Sequence, residues 1–332
     1  MRKVVAARAG GPEVLEMVEA PEPAPGPGEV LIRAEAIGVN FADVWARLGA
    51  EGSPPYAPGI EVAGVVVATG PEVTWPVIGE RVAAVPYERA ASYAEYVVSP
   101  ADLAFAVPDG MAAETAAALP LNYLTAYAAV EHAARPRADE RVLVHAAAGG
   151  VGLAAVQLAR RHRVELFGTA SASKHAVLHE EGIVHTIDYR TDDWVTKVRE
   201  LTGDGVDIVI DGVGEDLFRR SLSVVRFGGR VVAYGYSAGV TSPTEADLDL
   251  EKTFAAGVPL YDLLANARAL MGVHLAAPTA MLRRWWADLL AWESSGQVRP
   301  RIDRVLPLAD AAEAHRRLHA RENVGKIVLM PA

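Results

Sequence analysis

Residues 141–163 read RVLVHAAAGGVGLAAVQLARRHR. Val142, Leu143 and Val144 form an unbroken apolar run, so Arg141–His145 is expected to be a buried strand. Ala147–Gly152 is a tight turn of small residues, and Leu153–Arg161 reads as a helix with Leu153, Val156 and Leu158 among its apolar positions. Strand, glycine turn and helix in this order are the setting of a dinucleotide fingerprint. Glycine lets the backbone approach a pyrophosphate closely, and the helix dipole with its first N–H groups favours the anion. Within the pattern G-x-G-x-x-G, Ala147 replaces the first glycine, Gly149 and Gly152 keep the second and third, and Gly150 is extra. The competing reading is an ordinary βα turn whose small residues serve packing.

Working outward, the rhythm after this unit is helix and strand in alternation. Strands are expected at Glu165–Thr169, Val184–Tyr189, Val206–Val213, Gly229–Gly235 and Ala269–Leu275. Helices are expected around Lys174–Glu181, Asp192–Leu201 and Leu217–Val225, and Leu121–Ala134 is a helix before the fingerprint strand. Such alternation implies parallel pairing in a doubly wound α/β sheet. The first part differs. Val4–Arg8, Val14–Glu19, Glu29–Val39, Gly59–Gly70, Arg81–Val85 and Tyr93–Val98 are strand candidates between Gly- and Pro-rich connections, with a short helix at Asp43–Gly49. Many short strands suggest a barrel-like β domain. In the tail, Pro278–Ser294 is a long helix whose Leu282, Trp285, Trp286, Leu289 and Leu290 form a core stripe. Ile302–Leu306 and Lys326–Met330 read as strands around a helix at Leu308–Ala320, and this tail is expected to pack back on the β domain. The expected division is 1–120, 121–267 and 268–332.

Composition narrows the function. The 332 residues are 51% apolar and 22% charged, with a net charge of −10. That charge opposes general attraction to nucleic acid or to an anionic membrane. There is no cysteine, hence no disulfide and no thiolate zinc site, which fits a reducing cytoplasm. MRKVVAARAGG lacks the apolar core of a signal peptide. The longest uncharged run, Val142–Ala159, contains glycines and a histidine and is better read as strand, turn and helix than as a membrane span.

The second strand of the alternating region ends in Gly168-Thr169-Ala170-Ser171-Ala172-Ser173-Lys174. An NAD site places a carboxylate about 20 residues beyond the glycines. Here two serine hydroxyls and a lysine stand instead, which suits the 2′-phosphate of NADPH. Alternatively, the serines cap the following helix and Lys174 is a solvated surface charge.

Several segments together resemble the medium-chain dehydrogenase/reductase superfamily over essentially the whole chain. They are GVNFAD (38–43), PGIEVAGVV (58–66), NYLTAY (122–127), HAAAGGVGLAAVQLAR (145–160), FGTASASKH (167–175) and NVGKIVLMP (323–331). They look like its quinone oxidoreductase branch, and FGTASASKH and NYLTAY are most similar to the synaptic-vesicle membrane protein subgroup. The resemblance implies a GroES-like β-barrel domain joined to a Rossmann sheet. Zinc enzymes of the superfamily carry a cysteine where Asn40 stands and a histidine where Ile60 stands. Neither replacement can take the place of thiolate or imidazole on zinc.

The resemblance also implies contacts. Asn40 and Thr125 flank the nicotinamide or the substrate carbonyl. Gly149, Gly150 and Val151 meet the pyrophosphate. Thr169, at the end of the second strand, is implied to bind the cofactor, and Ser171, Lys174, Tyr189 and Arg321 surround the adenosine 2′-phosphate. Gly212, Tyr234, Gly235 and Tyr236 line the cofactor's two halves, and Val273 meets the carboxamide through backbone groups. Each has a plainer reading: Asn40 and Asp43 as turn and cap residues, Tyr189 as packing at a strand end, Arg321 as a helix-terminal charge. The histidines show no ligand spacing and are expected in bland core or surface roles.

The expected chemistry is NADPH-dependent, metal-free hydride transfer to a quinone or an α,β-unsaturated carbonyl, with a donor near Asn40 stabilising charge on the acceptor oxygen. Two alternatives stay open. One is reduction of an enoyl thioester or biosynthetic intermediate, although Gly49–Ser53 lacks the Gly-x-Tyr stretch of some enoyl reductases. The other is a weakly catalytic NADPH-binding or lipid-associated protein. The superfamily commonly dimerises through nucleotide-domain sheet edges, so a homodimer through Pro259–Leu275 is expected; an internal helix and strand is the competing reading.

Overall fold

A computed structural model describes residues 1–49, 54–87, 91–214, 216–240 and 260–331. The chain opens with a hairpin of β1 (Arg2–Ala6) and β2 (Leu15–Glu19), paired antiparallel. The first body is then built around β3 (Glu29–Val39), whose ends are those expected from its alternation. Asp43 follows in α1 (Phe41–Arg47). Next come β4 (Val62–Thr69), β5 (Arg81–Ala84), β6 (Tyr96–Pro100) and β7 (Ala104–Ala106). The three-residue β7 is too short to carry a periodic signal and was not foreseen. Two helices, α2 (Ala113–Ala118) and α3 (Pro120–Tyr127), lead out of this body. The helix expected at Leu121–Ala134 changes at Ala128 into a π-helical stretch that ends at Ala134.

The second body begins with β8 (Arg141–Val144) and α4 (Gly150–Arg160). The chain continues through β9 (Glu165–Ala170), α5 (His175–Glu180), β10 (His185–Asp188), α6 (Trp194–Thr202), β11 (Val206–Asp211), α7 (Asp216–Val224) and β12 (Val225–Ala233). Beyond residue 259 follow α8 (Leu260–Ala265) and β13 (Ala269–Gly272). These six strands form one sheet in the order β10-β9-β8-β11-β12-β13, and every pairing is parallel. The direction of strand progression reverses between β8 and β11, which opens a crevice at their carboxyl ends. β12 starts at Val225 rather than Gly229, because an irregular register between Val206 and Ile208 lets β11 pair on both sides of the Gly228–Gly229 bend.

The tail holds α9 (Thr279–Ser294), β14 (Ile302–Pro307), α10 (Ala311–His319) and β15 (Lys326–Met330). β15 pairs antiparallel with β3 and parallel with β14, so the tail completes the seven-stranded sheet of the first body. The α9 stripe is core, as its spacing implied: Leu282, Trp285, Trp286 and Leu289 are buried, and the Trp286 indole N–H donates to the Ala106 carbonyl at 2.8 Å. One apolar cluster runs from Ala36 and Phe105 in the first body to Val144 and Leu153 in the second, so the two bodies share a core beneath the crevice. Among the described residues, no helix is long and apolar enough to cross a membrane.

Candidate active site

A cavity of about 620 Å³ lies between the two bodies. The contact residues that the resemblance implied line it, from Asn40 and Thr125 at one end to Ser171, Lys174, Tyr189 and Arg321 at the other; Ser173 does not. A volume of this size suits a small-molecule ligand.

The fingerprint turn forms one wall. Ala146 takes a left-handed φ of 49°, which reverses the chain after β8. Gly149 is the N-cap, so α4 starts at Gly150, three residues earlier than its apolar pattern suggested. Gly150, Val151 and Gly152 therefore lie in the first turn, and all three line the cavity. The glycines are needed for space. A Cβ on Gly152 would lie 2.3 Å from the Ala146 carbonyl oxygen, and one on Gly150 would lie 2.3 Å from the Asn122 side chain. Ala147, in the first glycine's place, is fully buried, and its methyl faces Gly168 on β9, where an added Cβ would lie 3.0 Å away. The missing glycine is thus compensated on the neighbouring strand.

At the end expected to hold a 2′-phosphate, the Ser171 and Ser173 hydroxyls lie 3.3 Å apart. Ser171 is the N-cap of the following turn, yet its side chain makes no capping bond, so the capping alternative is not what occupies its hydroxyl. Lys174 is no free surface charge either. Its ammonium donates to the Arg321 and Asn323 carbonyls at 2.8 and 2.6 Å, and burial lowers its pKa. Two of its three protons are used there, and one remains for an anion. The carboxylate of nearby Asp188 accepts the Ala172 and Arg190 N–H groups.

Between these ends, Gly212, Tyr234, Gly235 and Tyr236 line the cavity beyond β11 and β12. A Cβ on Gly212 would lie 2.3 Å from the Tyr234 ring, so only glycine permits that approach. Tyr236 stacks on Trp45 of α1 with ring centroids 5.7 Å apart, an aromatic contact across the two bodies. The Val273 N–H is spent on the Ala233 carbonyl at 2.9 Å, extending the β12–β13 ladder, so that backbone donor is not open to a carboxamide. His145 also lines the cavity, hydrogen-bonded to Thr169 and Ser221, and burial lowers its pKa to about 3.

The Asn40 end holds a buried polar cluster. Asn40 Nδ2 donates to Glu61 Oε2 at 3.0 Å and to the Gly38 carbonyl at 3.3 Å, while its Oδ1 accepts from Lys326 Nζ at 2.5 Å. Lys326 also donates to Glu61 Oε2, and the Leu121 N–H donates to Glu61 Oε1 at 2.7 Å. Both amide protons of Asn40 are therefore engaged. Asp43 accepts the Asn40 N–H at 2.8 Å in a capping box, so both residues shape the helix start as well as lining or backing the site. Lys326 and Trp45 were not singled out from the sequence, although Lys326 lies within NVGKIVLMP.

Comparison with known proteins fixes the family. Residues 26–109 match the alcohol dehydrogenase GroES-like domain family, and residues 182–329 match a family described as zinc-binding dehydrogenase. The chain is 39% identical over 342 aligned positions to the synaptic vesicle membrane protein VAT-1 homolog of Rattus norvegicus, covering 100% of this chain and 84% of that protein. It belongs to the medium-chain dehydrogenase/reductase superfamily. Within it, the chain is 34% identical to a 2-haloacrylate reductase of a Burkholderia species, covering 97% and 96% of the two chains. It superposes on the Escherichia coli quinone oxidoreductase complexed with NADPH with a TM-score of 0.88, at 31% identity and 100% coverage of both chains. The Pseudomonas syringae quinone oxidoreductase gives a TM-score of 0.87 at 35% identity and 99% coverage of each.

One matched family carries zinc in its description, and the residues here do not fit that ion. The chain has no cysteine, Ile60 offers no donor, and the buried Lys326 ammonium already neutralises Glu61 and faces Asn40. A metal cation beside them would meet like charge at low dielectric. Among the described residues, no group of three His, Cys, Asp or Glu side chains could hold a metal.

Proposed function

We propose that this protein is an NADPH-dependent reductase that transfers hydride to a quinone or a small α,β-unsaturated carbonyl compound. The observation that carries the reading is one cavity that joins a helix start able to receive phosphate, a hydroxyl-and-lysine cluster, and a buried polar end holding Asn40 and Lys326. Likeness to quinone oxidoreductases and to a 2-haloacrylate reductase supports the same acceptor class, an activated alkene or quinone.

The cofactor's part is to supply hydride from its reduced nicotinamide when bound. The chain's part is placement. The first-turn N–H groups of Gly150 and Val151 receive the pyrophosphate. Ser171, Lys174 and Arg321 receive the 2′-phosphate, by charge-assisted hydrogen bonds where the donor is a cation. Tyr234, Tyr236 and Trp45 give the nicotinamide half an apolar wall that keeps water from the transfer path. Thr125 and Asn40 flank the acceptor. Solvent protonates the quinolate or enolate product, so the proposed step uses no proton-donating side chain.

The partner chemistry is a small molecule, and the assembly we infer is a homodimer. β13 ends the parallel sheet with no further described strand beside it, and Leu260, Tyr261 and Leu264 of α8, the helix that precedes β13 in the chain, are 69%, 82% and 73% exposed. Pro259, the first residue of the segment expected to form the edge, lies outside the described residues.

Stopped-flow loss of NADPH absorbance against a panel of quinones and enones tests the reading. Acceptor-dependent oxidation by members of either class is expected. A panel that leaves NADPH untouched at saturating enzyme defeats it.

A further inference from the structure

Hydride addition to a conjugated carbonyl moves an electron pair onto oxygen, and a reductase needs a hydrogen-bond donor or a cation there. Asn40 was the residue the sequence placed nearest to that role. Its amide cannot fill it: both Nδ2 protons are engaged by Glu61 and Gly38, and Oδ1 is an acceptor. The group beside it with capacity left is Lys326. Its ammonium has three protons. Among the described residues it donates to Asn40 Oδ1 and Glu61 Oε2 only, each at 2.5 Å. Lys326 is 3% exposed, and it lines the same cavity as Asn40 and Thr125.

We propose that Lys326 is the oxyanion donor of the reaction, with its third proton turned to the acceptor oxygen, and that Glu61 and Asn40 are positioning residues that hold its ammonium. The inference rests on the reductase reading for the identity of the oxyanion. In the step, one C–H bond of the reduced nicotinamide breaks and one forms on the acceptor carbon. The carbonyl π pair moves to oxygen, the Lys326 N–H stabilises the resulting enolate or quinolate, and solvent later supplies the proton. Glu61 keeps the cation in place at this depth: its carboxylate is 0% exposed, fixed through Oε1 by the Leu121 N–H and through Oε2 by Lys326. A fixed ammonium in a water-poor cavity is worth far more to a developing oxyanion than one in water.

The test uses three variants, Lys326→Met, Glu61→Gln and the double Lys326→Met/Glu61→Gln, which leaves no unpaired buried carboxylate if the single lysine variant fails to fold. Two readouts are taken. The first is turnover of a quinone at saturating NADPH, with the NADPH Kd measured separately. The second is the apparent pKa of p-nitrophenol bound to the NADP⁺-loaded enzyme, read from phenolate absorbance; the phenolate stands in for the quinolate. Loss of Lys326 is expected to lower kcat by about 10²-fold, with the NADPH Kd changed less than about threefold. Wild type is expected to lower the bound phenol's pKa by ~1 unit or more, and the lysine variants to abolish that shift. Glu61→Gln is expected to fall between them.

Unchanged kcat in the double variant, or a phenol pKa that is unshifted in wild type, overturns the assignment. So does a tenfold rise in NADPH Kd with kcat preserved, which would place the charge at the cofactor's phosphates. The two readings also separate. A Lys326-dependent phenol shift in an enzyme that reduces no acceptor keeps the donor and defeats the reductase reading; turnover indifferent to Lys326 does the reverse.

Discussion

Gly149 and Gly325 pair as an isolated parallel bridge, and the Gly325 N–H donates to the Ala148 carbonyl at 2.9 Å. This contact ties the fingerprint turn to the residue immediately before Lys326, so the proposed pyrophosphate wall and the proposed acceptor end of the cavity share one backbone brace. Gly325 has a φ of 91°, and a Cβ there would lie 2.2 Å from the Arg301 carbonyl oxygen. Gly325→Ala should therefore cost stability by more than about 1 kcal/mol, through left-handed strain and the backbone clash. It should also weaken NADPH binding. Thermal unfolding and fluorescence titration measure the two effects. A variant with the melting temperature and NADPH Kd of wild type would show that the brace does not matter.

On the proposed reading, Lys174 discriminates between the two nucleotides. Its ammonium is held by two tail carbonyls with one proton to spare, beside the Ser171–Ser173 hydroxyl pair. A hydrogen bond to a charged group contributes about 1.5–3 kcal/mol. Lys174→Ala should raise the NADPH Kd by roughly 10- to 100-fold and leave the NADH Kd within about threefold. Equal losses for the two nucleotides would remove the 2′-phosphate from this corner of the cavity.

Asp43 makes stability pH-dependent. It is fully buried, and burial raises its pKa from 3.8 to about 7 even though it accepts from the Asn40 N–H and the Tyr93 hydroxyl. Tyr93 also hydrogen-bonds His315, whose pKa burial lowers to about 3. The two shifts act in opposite senses. Because the folded Asp43 holds its proton more tightly than the unfolded chain does, its contribution is full below pH 4 and is lost as pH rises to about 7. His315 contributes above pH 6.5 and is lost as pH falls towards 3. Asp43→Asn deletes the first term and keeps an acceptor oxygen for the helix cap. The stability of the variant relative to wild type should therefore rise between pH 4 and 7, by an amount on the order of 3–4 kcal/mol, and then level off. Urea unfolding of both proteins across that range measures it; a difference independent of pH contradicts the buried, proton-holding carboxyl.

How much of this was readable in the chain depends on distance along it. The fingerprint unit is local, so its strand, turn and helix were legible; the start of α4 moved by three residues, because Gly149 caps the helix before its apolar pattern begins, and the ends of β8 and α4 moved by one. β3 was legible to the residue because its alternation, with Arg33 and Glu35 between apolar neighbours, runs from Glu29 to Val39 between Gly28 and Asn40. The acceptor end was half legible. Asn40 stood out by its place in GVNFAD, but Lys326 looked like an ordinary charge opening an apolar strand. Its partner Glu61 is 265 residues away, and no periodicity within β15 indicates that the strand's first residue sits beneath a cavity. The same holds for Asp43, Tyr93 and His315, which meet only because the tail strand returns to β3.

The open edge of the parallel sheet gives the last prediction. β13 has β12 on one side, and among the described residues no strand on the other. Its residues are half-buried or exposed, unlike the fully buried β11. A second copy laid antiparallel along the same edge would satisfy the free N–H and C=O groups of both chains under one two-fold axis. It would also cover Leu260, Tyr261 and Leu264, whose exposed side chains otherwise order water at a cost of about 25 cal/mol per Å². Leu264→Glu places a charge in that interface without touching the cavity, which Leu264 does not line. Light scattering after size exclusion should give a dimer for wild type and a monomer for the variant at micromolar concentration, with NADPH affinity changed less than about threefold if each cavity is complete within one chain. A wild-type protein that runs as a monomer under the same conditions leaves the edge to some other cover and removes the two-fold assembly.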